Sequence, residues 1–184
     1  MEKRPIQPIM GKIYQPTYGD WIWQHAHLSP FNYIPKSYVE AYCREFTDNG
    51  EKENVTFDID EIGIDAFYDR QAEDERNLRF GFYIDGRLVG LVRISKTITY
   101  QANGNIGYSI RPSERGRKYS ILLLQCVSEL CKNRIGMKYA TACVDTRNVP
   151  SIRALKSAGY IETGRMFEWI PNPEPRKAIE FRTP

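Results

Sequence analysis

The spacing of hydrophobic positions changes along the chain, and each change predicts an element. Tyr38, Val39, Tyr42, Cys43 and Phe46 recur on one helical face, behind Ser37 and Glu40 at capping-box spacing, which predicts a helix over 38–46. Between Asp60 and Arg76, Ile62, Ala66 and Phe67 precede a run of charges, and a second helix is predicted there despite Gly63. From Leu78 the period becomes two. Residues 79–84 and 87–94 flank Asp85-Gly86, the dipeptide that a two-residue type I′ turn needs, so an antiparallel hairpin is predicted. Further strands are predicted at 95–101, before Asn103-Gly104, and at 104–110, ending at Pro112.

Leu122, Leu123, Cys126, Val127, Leu130 and Cys131 then fall on one stripe and predict a helix stopped by Gly136. Tyr139 to Val144 reads as a strand, Asn148 caps a short helix that ends at Gly159, and strands follow near 160–170 and 177–182. Strand, helix, strand at this spacing predicts a parallel βαβ crossover inside an otherwise antiparallel sheet, an α/β architecture with a mixed sheet. Residues 1–35 hold five of the eleven prolines and the aromatics Tyr14, Tyr18, Trp21, Trp23, Phe31 and Tyr33; only a strand near 12–15 is predicted there. Of these, Trp21, Trp23, Phe31 and Tyr33, with Tyr38 and Tyr42, read for the most part as core.

Composition narrows the function classes only a little. At 184 residues the chain is one domain's worth, and a net charge of +3 shows no basic stripe of the kind that nucleic acid or an anionic membrane needs. No apolar run approaches the roughly 20 residues of a membrane span, so a cytoplasmic protein without nucleic-acid or membrane partners is expected. Cys43, Cys126, Cys131 and Cys143 form no C-x-x-C pair, which argues against a disulfide framework or zinc ribbon. His25 and His27 would share one face of a strand, but no neighbouring Cys or carboxylate completes a ligand set, and no metal is expected.

The chemistry concentrates at residues 111–120. A strand ending near Ile110 passes there into the strongest helix, whose first amides have no intrahelical partner and sit at the positive end of its dipole. Arg111, Arg115, Arg117 and Lys118 crowd the turn. A solvated basic loop before an ordinary helix would look the same, so the turn by itself leaves both readings open.

Pro112, Arg115, Gly116 and Ser120 resemble the pyrophosphate loop of the Gcn-related N-acetyltransferase (GNAT) superfamily, Arg/Gln-x-x-Gly-x-Gly/Ala. A second motif of that family, Asn-x-x-Ser/Ala with Gly-Phe/Tyr eleven residues after the Asn, is met by Asn148, Ser151, Gly159 and Tyr160. The resemblance covers residues 57–170 and looks closest to predicted bacterial acetyltransferases. It implies a single domain over 1–184, with a divergent segment 1–56 and a cofactor-binding core 57–184. It also implies helices on both faces of a mostly antiparallel sheet, whose central parallel strands splay to admit the pantetheine arm of acetyl-CoA.

By the same resemblance the backbone at Ile110 would pair with the arm. The loop Arg115, Gly116, Arg117, Lys118, Tyr119 and Ser120 would hold the pyrophosphate, and Asn148 and Ser151 would bind the arm from the other side. Three positions depart from the family. Lys118 stands where a glycine is usual, Leu155 where many members have a tyrosine acid, and Asn105 where many have a carboxylate base. Tyr108, alternating with Ile106 and Ile110 on the same strand, is the remaining candidate for catalysis, against a reading as a packed tyrosine. Glu114 reads as a solvated loop residue, or as a base only if the loop folds inward, and Tyr160 reads as packing. The resemblance also implies an acceptor pocket with one wall from the first helices and loop, which Trp21, Trp23, Phe31, Tyr33, Tyr38 and Tyr42 would line, against their reading as core. The expected activity is acetyl transfer from acetyl-CoA to a primary amine, on a small molecule or a protein, by direct attack in a ternary complex. A degenerate member that binds coenzyme A or another ligand without acyl transfer is the alternative. The resemblance further implies that a homodimer is an accessible assembly.

Overall fold

The computed structural model describes residues 9–10, 26–51, 65–66, 68–69, 77–95, 105–169 and 176–184. The strand expected at 12–15 lies outside them, as do all but Ser95 of that expected at 95–101 and most of the helix expected at 60–76; residues 65, 66, 68 and 69 are helical. In chain order the elements are β1 (Ile9–Met10), β2 (Ala26–Pro30), a 3₁₀ turn (Phe31–Tyr33), α1 (Lys36–Asp48), β3 (Asn77–Ile84) and β4 (Arg87–Ser95). Then come β5 (Ile106–Ile110), a 3₁₀ turn (Pro112–Glu114), α2 (Tyr119–Leu130), β6 (Thr141–Asp145), α3 (Val149–Ser157), β7 (Ile161–Trp169) and β8 (Arg176–Arg182).

Local chemistry accounts for most boundaries. Asp85 and Gly86 have φ of 49° and 73°, the two positive values that a type I′ turn demands, and they close the β3–β4 hairpin. α1 starts earlier than its apolar pattern, because Pro35 at the N-cap, with φ of −56°, leads directly into it. Ser37 therefore lies inside the first turn and no side chain caps the helix, so the capping box does not form. Asn148 does cap α3, its side-chain oxygen accepting from the Ser151 amide at 3.1 Å. α2 passes into a π turn, Cys131–Ile135, and ends at Gly136 with φ of 75°.

The strands make two antiparallel sheets, β1-β2-β3-β4-β5 and β6-β8-β7. Side chains alternate across the first. Phe80, Phe82, Ile84, Val92 and Ile94 join the core that α2 and α3 cover, while Tyr83, Leu88 and Leu91 pack with Val39, Tyr42 and Phe46 of α1 on the opposite face. Helices thus cover both faces, as expected. Leu123, Leu124 and Val127 of α2 are fully buried, each contributing roughly 1.5–3 kcal/mol by leaving water.

One difference from the expected single mixed sheet bears on the site. Among the described residues no ladder joins β5 to β6. A side chain joins them instead: Asn105, 4% exposed, accepts at Oδ1 from the Thr141 amide and hydroxyl, both at 3.1 Å, and donates from Nδ2 to the Ser95 carbonyl at 3.1 Å. Asn105 ties the strands at the entrance to β5, and beyond it they part.

Candidate active site

β5 is the outer strand of its sheet, and its backbone has a bonded and an open side. The Arg111 amide donates to the Val89 carbonyl at 2.9 Å and the Ser95 amide to the Asn105 carbonyl at 2.8 Å. Odd-numbered residues thus bond β4, and by antiparallel alternation the N–H and C=O groups of Ile106, Tyr108 and Ile110 point away from it into the cleft. An extended chain laid along this edge would find donors and acceptors already in register.

At the C-terminal end of β5 the chain turns through Pro112–Glu114 into the N-terminus of α2. Gly116 and Lys118 take left-handed conformations, φ 77° and 63°. The Ile121 and Leu122 amides both turn back to the Lys118 carbonyl, whereas the Tyr119 and Ser120 amides precede any intrahelical acceptor. The loop, β5 and α3 enclose a cavity of about 440 Å³ lined by Tyr108, Ile110, Arg115, Gly116, Lys118, Tyr119, Ser120, Asn148 and Ser151, together with Phe46, Glu51 and Glu114. Two motifs some thirty residues apart in sequence therefore meet around one space. Arg117 is off this lining and turns to Glu114 at 3.3 Å.

The basic character read from the loop is largely neutralised. Arg115 makes a bidentate pair with Glu51, 2.7 Å at each oxygen, and its Nε donates to the Ile110 carbonyl at 3.2 Å. The Glu51 carboxylate, against the cost of burial, pushes the Arg115 guanidinium above its ordinary value. Arg111 pairs with Glu45, whose other oxygen accepts from the Ser113 amide at 2.7 Å. Burial opposes the Glu45 charge, but the Ser113 amide and the Arg111 guanidinium outweigh it and hold the carboxyl below the usual range. Glu114 is not a solvated loop residue: it is 7% exposed, because the 3₁₀ turn folds its carboxylate inward onto Arg87 at 2.6 Å.

Tyr108 faces α3, and its hydroxyl is buried with no hydrogen bond of full geometry. Burial pushes the phenol above its ordinary value, while Ser151 beside it pulls the other way. The two departures next to the motifs are committed elsewhere. Leu155 is fully buried in the core, and Asn105 spends its amide on the seam. Tyr160 is buried and donates to the Leu124 carbonyl at 3.0 Å, a packing role. His27 stacks on Tyr83 with centroids 5.0 Å apart, and its imidazole is held below its ordinary value by burial. His25 lies outside the described residues, and among those described no His/Cys/Asp/Glu group could hold a metal. All four cysteines are free thiols. Glu45 and Glu51 had no signal in the sequence, since they reach the loop across more than sixty residues.

The open edge of β5 thus runs, at the parting of the two sheets, into the glycine-turned N-terminus of α2. The family model described as Acetyltransferase (GNAT) domain matches residues 23–161, and the chain belongs to that family. No curated protein matches it. Among solved structures it is similar to Mycobacterium smegmatis RimJ in complex with CoA-disulfide, at 20% identity and a TM-score of 0.66, covering 85% of this chain and 80% of that one. A spermidine N-acetyltransferase SpeG chimera from Vibrio cholerae and hSSAT matches at 15% identity and 0.67, covering 86% and 94%. Campylobacter jejuni PseH in complex with acetyl coenzyme A matches at 12% and 0.59, covering 84% and 96%. At such identities the likeness shows the fold.

Proposed function

We propose that the protein transfers the acetyl group of acetyl-CoA to a primary amine by direct attack in a ternary complex. The observation that carries this reading is the continuity between the open edge of β5, at Tyr108 and Ile110, and the turned amides of Gly116 to Ser120. An extended amide-bearing arm suits the first, and a pyrophosphate suits the second. The complexes of the similar folds with coenzyme A forms support the same donor.

Acetyl-CoA supplies an activated thioester. The chain's own part is to fix it: the outward backbone of Ile110 pairs with the arm, and the Tyr119 and Ser120 amides with the Gly116–Lys118 turn hold the diphosphate. Asn148, whose oxygen is used by the cap, has Nδ2 left to donate across the cleft. The ammonium first gives one proton to water, the freed nitrogen forms the new C–N bond as the C–S bond breaks, and its second proton also leaves through water. Tyr108, kept as a neutral phenol by burial, gives its proton to the departing sulfur and recovers one from solvent. Holding the two reactants in one orientation supplies most of the acceleration. The acceptor is a small-molecule or protein amine, and a homodimer is the assembly to seek by sedimentation.

A specific observation favours a second reading: neither Leu155 nor Asn105 can serve as acid or base, which suits a coenzyme A binder without turnover. Calorimetric titration with acetyl-CoA, of the protein and of its Asn148→Ala and Lys118→Glu variants, is the decisive experiment. Micromolar binding weakened by either change, followed by amine-dependent thiol release, is the expected result. Binding without release for any amine would leave the second reading, and no binding at millimolar ligand would overturn both.

A further inference from the structure

On the α1 face of the first sheet, Arg79 of β3, Arg93 of β4 and Gly107 of β5 stand in one cross-strand row. Arg93 is half-buried, and its guanidinium reaches back over Gly107, Nη2 3.4 Å from where a Cβ on Gly107 would stand. Around the loop the arginines are met by carboxylates: Arg87 and Arg117 by Glu114, Arg111 by Glu45, Arg115 by Glu51. Among the described residues nothing carboxylate meets Arg93. A guanidinium partly withdrawn from water and left without a counter-charge is a place for an anion to bind.

Its position relates it to the reaction. Gly107 is next to Tyr108, and successive residues of a strand face opposite sides. Tyr108 therefore faces α3, and Gly107 opens towards α1, as Ser109 does through its hydroxyl contact with Tyr42 at 3.0 Å. The cleft closes at the Asn105–Thr141 seam, so the reactive end of an arm lying along β5 is confined near Tyr108. Neighbouring strands are about 4.8 Å apart, and a guanidinium from β4 folded over Gly107 lies within one such spacing of that edge.

We infer that the acceptor amine carries an anionic group, a carboxylate or a phosphate, and that Arg93 binds it over Gly107 while the amine reaches the thioester at the edge of β5. This rests on the acyl-transfer reading. It makes Arg93 the residue that selects among amines, and it places polyamines among the poor acceptors because the Arg93 guanidinium repels them.

The test compares β-alanine, O-phosphoethanolamine, ethanolamine and spermidine as acceptors, read by thiol release. The selectivity ratio, kcat/KM for an anionic amine over that for ethanolamine, is expected to fall roughly tenfold or more in Arg93→Gln, the worth of one charge-assisted hydrogen bond. Arg93→Lys restores part of it. Whichever of β-alanine and O-phosphoethanolamine is preferred tells carboxylate from phosphate. An unchanged ratio in Arg93→Gln, or a preference for spermidine in the wild type, overturns the inference. Calorimetry of O-phosphoethanolamine and β-alanine on the protein without donor separates the two readings. Arg93-dependent binding there supports the anion site even where acetyl-CoA fails to bind, and binding that ignores Arg93, or no binding of either amine, overturns it.

Discussion

Asn105 occupies the position at which many relatives carry a catalytic carboxylate, so Asn105→Asp would look like a repair. The structure predicts the opposite. The side chain is enclosed, with Oδ1 accepting twice from Thr141 and Nδ2 donating to the Ser95 carbonyl. Aspartate keeps the first two bonds and loses the donor, so a carboxylate oxygen is set against a carbonyl oxygen inside the protein. A lost bond is worth about 1 kcal/mol, and the group left unsatisfied costs about 1–3 more, so a destabilisation of about 2–4 kcal/mol is expected. Asn105→Ala, which removes all three bonds from an enclosed site, should fall at the upper end of that range or above it. For a chain of this length that corresponds to a fall in Tm of roughly 4–16 °C. Urea unfolding midpoints with unchanged m-values measure the stability, and thiol release measures turnover. A stable Asn105→Asp variant with faster turnover would refute the reasoning, because it would put position 105 in the cleft instead of the seam.

Tyr108→Phe should lower kcat with little change in KM for acetyl-CoA; a loss below about threefold in steady-state thiol release removes the phenol from the mechanism. Lys118→Gly should gain about 1 kcal/mol from relief of the left-handed backbone, less what glycine adds to the unfolded chain's entropy, so the urea midpoint should move by less than about 1 kcal/mol while the affinity for acetyl-CoA, read by calorimetry, rises. Glu45 has its folded pKa below its unfolded value of about 4.3, so the stability it contributes is present above that value and is lost as pH falls through the folded one. Acid titration followed by urea midpoints should show this dependence in the wild type and a reduced one in Glu45→Gln.

What the sequence disclosed was local. Asp85-Gly86 announces its turn because both residues tolerate positive φ, Asn148 its cap because the acceptor and the amide are three residues apart, and Gly136 its stop for the same reason as the turn. The meeting of the loop with Asn148 and Ser151 came from motif resemblance, since nothing in either segment encodes their distance. Glu45 and Glu51 were invisible because an ion pair between α1 and the loop leaves no periodic trace. For Glu114 the sequence left an inward and a solvated reading open: a charged residue in a proline-led turn is normally outside, and only the approach of Arg87 from the β3–β4 hairpin lets it face inward. The splay of β5 from β6 came from the resemblance, but that no ladder at all joins them among the described residues had no local signal, since strand pairing across a crossover leaves no trace in either segment.

That missing ladder gives the molecule a fold-line. Opening the mouth between the two sheets breaks no backbone hydrogen bond, since among the described residues none crosses it, and Asn105 acts as the pivot at the far end. Every polar backbone group engaged within either sheet stays engaged through such a motion, and those on the outer edge of β5 exchange one partner, water, for another. The work of parting the strands was done when the chain folded, and it is held in the fold's permanent shape.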